Sequence, residues 1–122
     1  MILADTSVWV DYLRSGDPAM ATSLNQGQIV MHPFVVAEIA LGSLRNQRQR
    51  LEELEALLEV NVAQLSEVRH MVETHALYSM GIGLIDAHLL ASCLMTPGTR
   101  LWTHDVVLQK TARTLGIRVH PA

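Results

Sequence analysis

The sequence predicts an α/β domain in which helices cover both faces of a short, mostly parallel sheet of four or five strands. Three observations point there. The chain opens Met1-Ile2-Leu3-Ala4-Asp5-Thr6-Ser7, an apolar run without polar alternation, as expected of a central strand buried on both sides. Comparable short runs recur at Ile29-Val30-Met31 and Leu101-Trp102-Thr103. Between them lie longer stretches whose apolar residues repeat every three or four positions, the period of a helix with one buried face. With 122 residues, 49% hydrophobic and 17% charged, the chain reads as one domain over 1–122, too short for separate catalytic and binding domains.

In order along the chain, Thr6 or Ser7 is suited to cap a helix reaching Leu13, with Val8, Trp9 and Tyr12 on its buried side. Asp17-Pro18 starts a second helix, which stops near Gly27. Ile29-Val30-Met31 forms the second strand, ended by His32-Pro33, because proline has no amide to give the ladder. A helix over Phe34 to Leu44 follows, with Glu38 as its only acid. From Arg45 to Glu59 the charged sequence carries Leu51, Leu54, Leu57 and Leu58, the stripe of an amphipathic surface helix. Val60-Asn61-Val62 is expected as a short edge strand, and Ser66 as the cap of a helix to Tyr78.

Met80-Gly81-Ile82-Gly83 then makes a tight loop before an apolar helix from Leu84 to Met95, with Asp86 in its first turn. After the Pro97-Gly98 turn, Leu101-Trp102-Thr103 repeats the N-terminal pattern and delivers Asp105 just past its end. Val106 to Leu115 is the last helix, Gly116 closes it, and Ile117 to Val119 is a final strand.

Composition narrows the function. A net charge of -3 argues against a nucleic-acid coat protein, though not against an enzyme with a local basic patch such as Arg45, Arg48 and Arg50. The single cysteine, Cys93, sits in an apolar helical pattern and supports no disulfide framework, which suits a reducing compartment. No apolar run approaches the ~20 residues of a membrane span, and Asp5 interrupts the first one too early for a secretory signal. The expected location is cytoplasmic.

The residues that carry chemistry are Asp5, Glu38, Asp86 and Asp105, each at a strand end or in the helix that follows a strand. In open α/β sheets the carboxyl edge of the strands is where ligands gather. Four carboxylates in one pocket repel, so they must take protons or bind a cation. Oxygen-only donors select a hard divalent ion, magnesium or manganese, whereas zinc would ask for histidine or cysteine at ligand spacing. Such sites serve phosphoryl transfer.

Taken together, Asp5-Thr6-Ser7, Glu38, Ile85-Asp86-Ala87 and Leu101-Trp102-Thr103-His104-Asp105 resemble the PIN domain. The run from Gly81 to Ser92 is similar to the VapC toxins of bacterial VapBC toxin-antitoxin modules. The resemblance implies a three-layer α/β/α PIN-like fold and a magnesium-dependent endoribonuclease with Asp5, Glu38, Asp86 and Asp105 in its acidic pocket. Ser7 and Thr103 match hydroxyl positions that support those carboxylates. Transfer or ribosomal RNA is the implied substrate class, and a cognate VapB-like antitoxin the implied partner. The apolar stripes at 48–59 and after Asp86 suggest a homodimer as well. One departure is that Val106-Val107-Leu108 lacks the aromatic residue often found after the last acid.

Competing readings fare worse. A phosphoacceptor domain would want acids beside Asp5 and a lysine at a late strand end, and the only lysine, Lys110, falls within the last helix. A haloacid dehalogenase-type phosphatase would want an aspartate where Ser7 stands. A catalytically silent PIN-fold binding module is the stronger alternative, yet folding alone gives no reason to keep four mutually repelling acids.

Overall fold

Ile2, Leu3 and Ala4 form β1 (Ile2–Ala4), and none of the three retains solvent exposure. Each of the two larger side chains contributes about 1.5–3 kcal/mol by leaving water. A computed structural model describes residues 1–121. In it β1 is the middle strand of a parallel sheet of order β2-β1-β3, with β2 at Ile29–Val30 and β3 at Arg100–Trp102. Leu3 pairs with Val30 on one side and Leu101 on the other. The chain leaves β1 for β2 on one side and later returns to place β3 on the other. That reversal opens a crevice at the carboxyl ends of the strands.

The helices are α1 (Thr6–Ser15), α2 (Pro18–Asn25), α3 (Pro33–Ala40), α4 (Gln47–Glu55), α5 (Leu65–Thr74), α6 (Leu84–Met95) and α7 (Val106–Thr114). α6 is nearly sealed, with Ala87 through Cys93 all buried, which explains a composition too uniformly apolar for a surface helix. Burial also pushes the Cys93 thiol up to about 12, so it is a core residue, as its sequence context indicates.

Several expected boundaries move, each for a local reason. Among the described residues the sheet has three strands, not four or five, and the missing two are reduced to single parallel bridges, Met31 to Glu59 and Leu101 to Val119. At the first edge, Asn61 turns away: its amide donates to Thr96 Oγ1 at 3.1 Å and its Nδ2 to the Met95 carbonyl at 2.8 Å, so 60–62 form no strand. At the other edge the Ile117 amide donates to the Ala112 carbonyl (2.9 Å) across the left-handed Gly116 (φ 78°), which uses the segment to close α7.

Asp5, not Thr6 or Ser7, caps α1, accepting from the Val8 amide at 3.2 Å. α3 ends at Ala40 rather than Leu44, and α4 is shorter than 45–59. The joint between them is held by Gln47, which accepts from the Leu44 amide and donates to the Ala40 carbonyl, each at 2.9 Å. α5 begins one residue before Ser66, with Gln64 as its cap and Glu67 accepting from the Gln64 amide at 2.9 Å, and it stops at Thr74. The leucine stripe of α4 is largely spent inside the molecule: Leu54 is buried, Leu51 and Leu57 pack against the core, and only Leu58 remains exposed.

Candidate active site

Asp5 lies at the end of the central strand, only 8% exposed. Its amide donates to the Trp102 carbonyl at 2.9 Å, which fixes the backbone against β3. Both carboxylate oxygens are engaged. Oδ1 accepts from the Ser7 hydroxyl at 2.7 Å and from the Val8 amide, and Oδ2 accepts from the Thr103 hydroxyl. Ser7 and Thr103, expected from the resemblance to support the acids, thus both bind Asp5. Thr103 is buried and serves both aspartates, because its Oγ1 also accepts from the Asp105 amide at 3.1 Å. The Gln109 side chain in turn donates to the Thr103 carbonyl at 2.7 Å.

Glu38 stands half-buried on α3, whose first residues follow β2 directly. Its Oε1 accepts from the Thr6 hydroxyl, so the first turn of α1 orients a second acid. Thr6 and Gln109 are supporting residues that sequence reasoning missed. The Asp5-Thr6-Ser7 triplet displays a hydroxyl at Thr6, but only the packing of α1 on α3 shows that it meets Glu38.

Asp105 caps α7, its Oδ1 accepting from the Val107 and Leu108 amides at 2.9 and 3.1 Å. It is exposed, and Oδ2 has no hydrogen-bond partner among the described residues. Asp86, in the first turn of α6, is partly buried. Its carboxyl is raised above the usual aspartate value, chiefly by burial, with a hydrogen bond to the Gly83 backbone pulling the other way. The charges of Asp105, Asp5 and Glu38 raise it further, in that order. Asp86 therefore feels the charges of all three other predicted acids.

The donor chemistry suits a hard cation. All four predicted side chains are carboxylates, and among the described residues no arginine or lysine pairs with any of them. Among the described residues no three His, Cys, Asp or Glu side chains close into a metal cage. The all-oxygen chemistry of the four side chains is that of a site for a hard ion, which keeps much of its water beside one or two carboxylates.

His32 and His88, both buried, form an aromatic cluster with the partly buried Phe34, the two imidazole centroids 6.1 Å apart. His32 caps α3 through Nδ1, which accepts from the Phe34 amide at 3.0 Å and therefore carries no proton. Burial first, and then the nearby His88, push His32 down to about 4, and burial lowers His88 as well. Both are neutral core groups. His104 is at the surface, 3.3 Å from Asp11 on α1. Asp11 is thereby paired outside the acidic pocket.

Asp5 and Asp105 just past β1 and β3, and Glu38 in the helix after β2, stand where the sequence puts them, whereas the helix of Asp86 follows α5 and not a strand. This is the architecture of a PIN domain, and the PIN domain family model matches residues 2–114. Two relatives narrow the class. Ribonuclease VapC32 of Mycobacterium tuberculosis, from strain CDC 1551 / Oshkosh and from strain ATCC 25618 / H37Rv, is in each case 37% identical over 117 residues, covering 96% of this chain and 94% of the relative. The chain belongs to the PIN-domain family, in its branch of VapC-type ribonucleases.

Proposed function

We propose that the chain is a magnesium-dependent endoribonuclease, the toxin of a type II toxin-antitoxin pair, folded as a single domain and acting in the cytoplasm on structured RNA of the transfer or ribosomal class. The observation that carries this reading is the placement of the acids: Asp5 and Asp105 follow β1 and β3 and share Thr103, Thr6 of α1 holds Glu38, and Asp86 feels the charges of all three. Such repulsion is costly without a cation, and an all-oxygen pocket selects magnesium, with manganese as a substitute. Likeness to proteins called ribonuclease supports RNA as the substrate.

In this reading Asp5, Glu38, Asp86 and Asp105 would hold the ion, one or two of them directly and the others through its water, and the ion would supply an activated water and neutralise charge on the phosphodiester. The chain's own part is positioning. Ser7 and Thr103 keep both oxygens of Asp5 in place, Thr6 holds Glu38, and the α7 amides leave Oδ2 of Asp105 free.

A partner is supported by apolar residues beside the acids. Leu84 is 59% exposed two residues before Asp86, and Val106 is 73% exposed next to Asp105. A cognate VapB-like antitoxin that covers them would also cover the pocket. Exposed Leu94 and Met95, lining a groove of about 470 Å³ between α5 and α6, support a homodimer on the opposite side of α6's first turn.

Purified protein should cut structured RNA with magnesium or manganese and stop in excess chelator. Water attack with departure of the 3′-oxygen leaves 5′-phosphate ends. Undiminished cutting in chelator, or 2′,3′-cyclic phosphate ends, contradicts the mechanism.

A further inference from the structure

Nine residues of the chain are lysine or arginine, and three of them meet at one place. Arg14, in the last turn of α1, faces Arg45 and Arg50 across a cavity of about 400 Å³, which Ser43 and Asn46 also line and no acid does. Arg14 alone has an ordinary explanation, since a cation at a helix C-terminus is favoured by the dipole. That does not explain why two arginines from a separate segment converge on it. Nor do Arg14 and Arg45 have ion-pair partners among the described residues. Arg50 lies 3.5 Å from Glu53, a long contact at a half-exposed site, whereas Arg48 points away, 96% exposed and 3.7 Å from Glu52. Gln47 ties down the loop that presents Arg45.

We infer that Arg14, Arg45 and Arg50 form a phosphate-binding site that grips the RNA backbone a few nucleotides from the acidic pocket. This rests on the ribonuclease reading above. α1 links the two places: Asp5 caps its first turn and Arg14 ends it, a separation of roughly 13 Å at 1.5 Å per residue. Glu38 and the Arg45 loop are similarly joined, by the end of α3. A strand leaving the acids along α1 and α3 therefore runs into the arginines. Guanidinium groups suit phosphate through paired donors, and three of them offset the repulsion that RNA meets at four carboxylates. Leu13 and Leu44 also line the cavity, but three arginines with Ser43 and Asn46 outnumber them and favour phosphate over a protein segment, which would want apolar anchors.

The test is binding of unfractionated transfer RNA in chelator, where no cleavage occurs, as a function of salt. The triple variant Arg14→Gln/Arg45→Gln/Arg50→Gln should bind on the order of tenfold more weakly at physiological salt. Its slope of log affinity against log salt should be shallower by roughly one. Arg48→Gln should match the parent in both. If the triple variant fails to fold, Arg45→Gln alone, at an exposed residue without an ion pair, should show the same direction to a smaller degree. Parental affinity and slope in a folded variant overturn the site, as does an equal loss in Arg48→Gln or no binding by the parent. Unchanged RNA affinity with weakened antitoxin binding would also overturn it, assigning the arginines to the protein partner. A parent that binds RNA through these arginines but cuts none with magnesium would sink the nuclease reading and leave the phosphate site standing.

Discussion

Asp5 and Asp105 occupy equivalent places in two adjacent βα units, each following a strand and capping the next helix, yet they are held in opposite ways. Asp5 is nearly buried and both its oxygens accept hydrogen bonds, two of them from hydroxyls. Asp105 is exposed, with one oxygen on two backbone amides and the other free. Capping is thus the smaller part of what holds Asp5 and nearly all of what holds Asp105. One carboxylate is a fixed charge built into the core, and the other is a helix cap with an oxygen to spare.

The contrast is sharpest under Asp to Asn substitution, because Asn caps about as well as Asp but carries no charge. Asp5→Asn should reduce cleavage at least a hundredfold and also lower the melting temperature, since the buried Thr103 hydroxyl loses a charged acceptor. Asp105→Asn should reduce cleavage comparably with little change in melting temperature. Asp11→Asn, at a surface acid paired with His104, should stay within a few-fold of the parent. Cleavage rates and melting curves for the three variants check this. Full activity in Asp105→Asn, or a dead Asp11→Asn, would reverse the assignment.

Thr103 couples the two aspartates, so Thr103→Val should perturb both. The loss expected for removing such an orienting hydrogen bond is about 10–100-fold in metal affinity or activity. The buried Asp5 oxygen and the Asp105 amide would each lose a partner, at a cost of about 1–3 kcal/mol per unsatisfied group. Ser7→Ala removes one donor from a more exposed side of Asp5 and should cost less on both counts. A Ser7→Ala variant worse than Thr103→Val would show that the buried side is not the stiffer one.

How much of this was legible in the sequence follows from what each feature depends on. The parallel core strands, and the places of Asp5 and Asp105 just past two of them, could be read from short apolar runs, because burial and strand-end position leave a local imprint. The PIN resemblance could be read the same way. The outer strands could not. Whether 60–62 joins the sheet depends on Asn61 finding Thr96 and Met95, and those contacts are distant in sequence. The role of Thr6 depends likewise on α1 meeting α3, and the arginine cavity on Arg14 meeting a loop some thirty residues away. Asp105 illustrates a false choice, since its sequence context suggests either a cap or a site residue and the geometry permits both.

The smallest effect concerns pH, and it separates the neutral histidine core from the acids. His32 is lowered from 6.5 to about 4, so the unfolded chain binds more protons between those values. Its contribution to stability is complete above about 6.5 and is lost as pH falls through about 4, up to about 3 kcal/mol in all. Asp86 has the opposite sign: its raised carboxyl favours the fold at low pH, and that advantage is lost as pH rises through its folded value. His32→Asn, which can keep the α3 cap, should flatten the acid-side decline in melting temperature between pH 6.5 and 4. An unchanged decline would mean that other groups cause it.

The central claim, that four carboxylates share one charge field relieved by a hard cation, is tested most directly by melting temperature against magnesium at neutral pH and constant ionic strength. The parent should gain stability with magnesium, about 1.4 kcal/mol when the free ion is tenfold above its dissociation constant. Asp86→Asn should melt higher than the parent without the ion, because one repelling charge is gone, and should gain less when it is added. A parent that ignores magnesium, or an Asp86→Asn variant that melts lower and responds equally, would contradict the account.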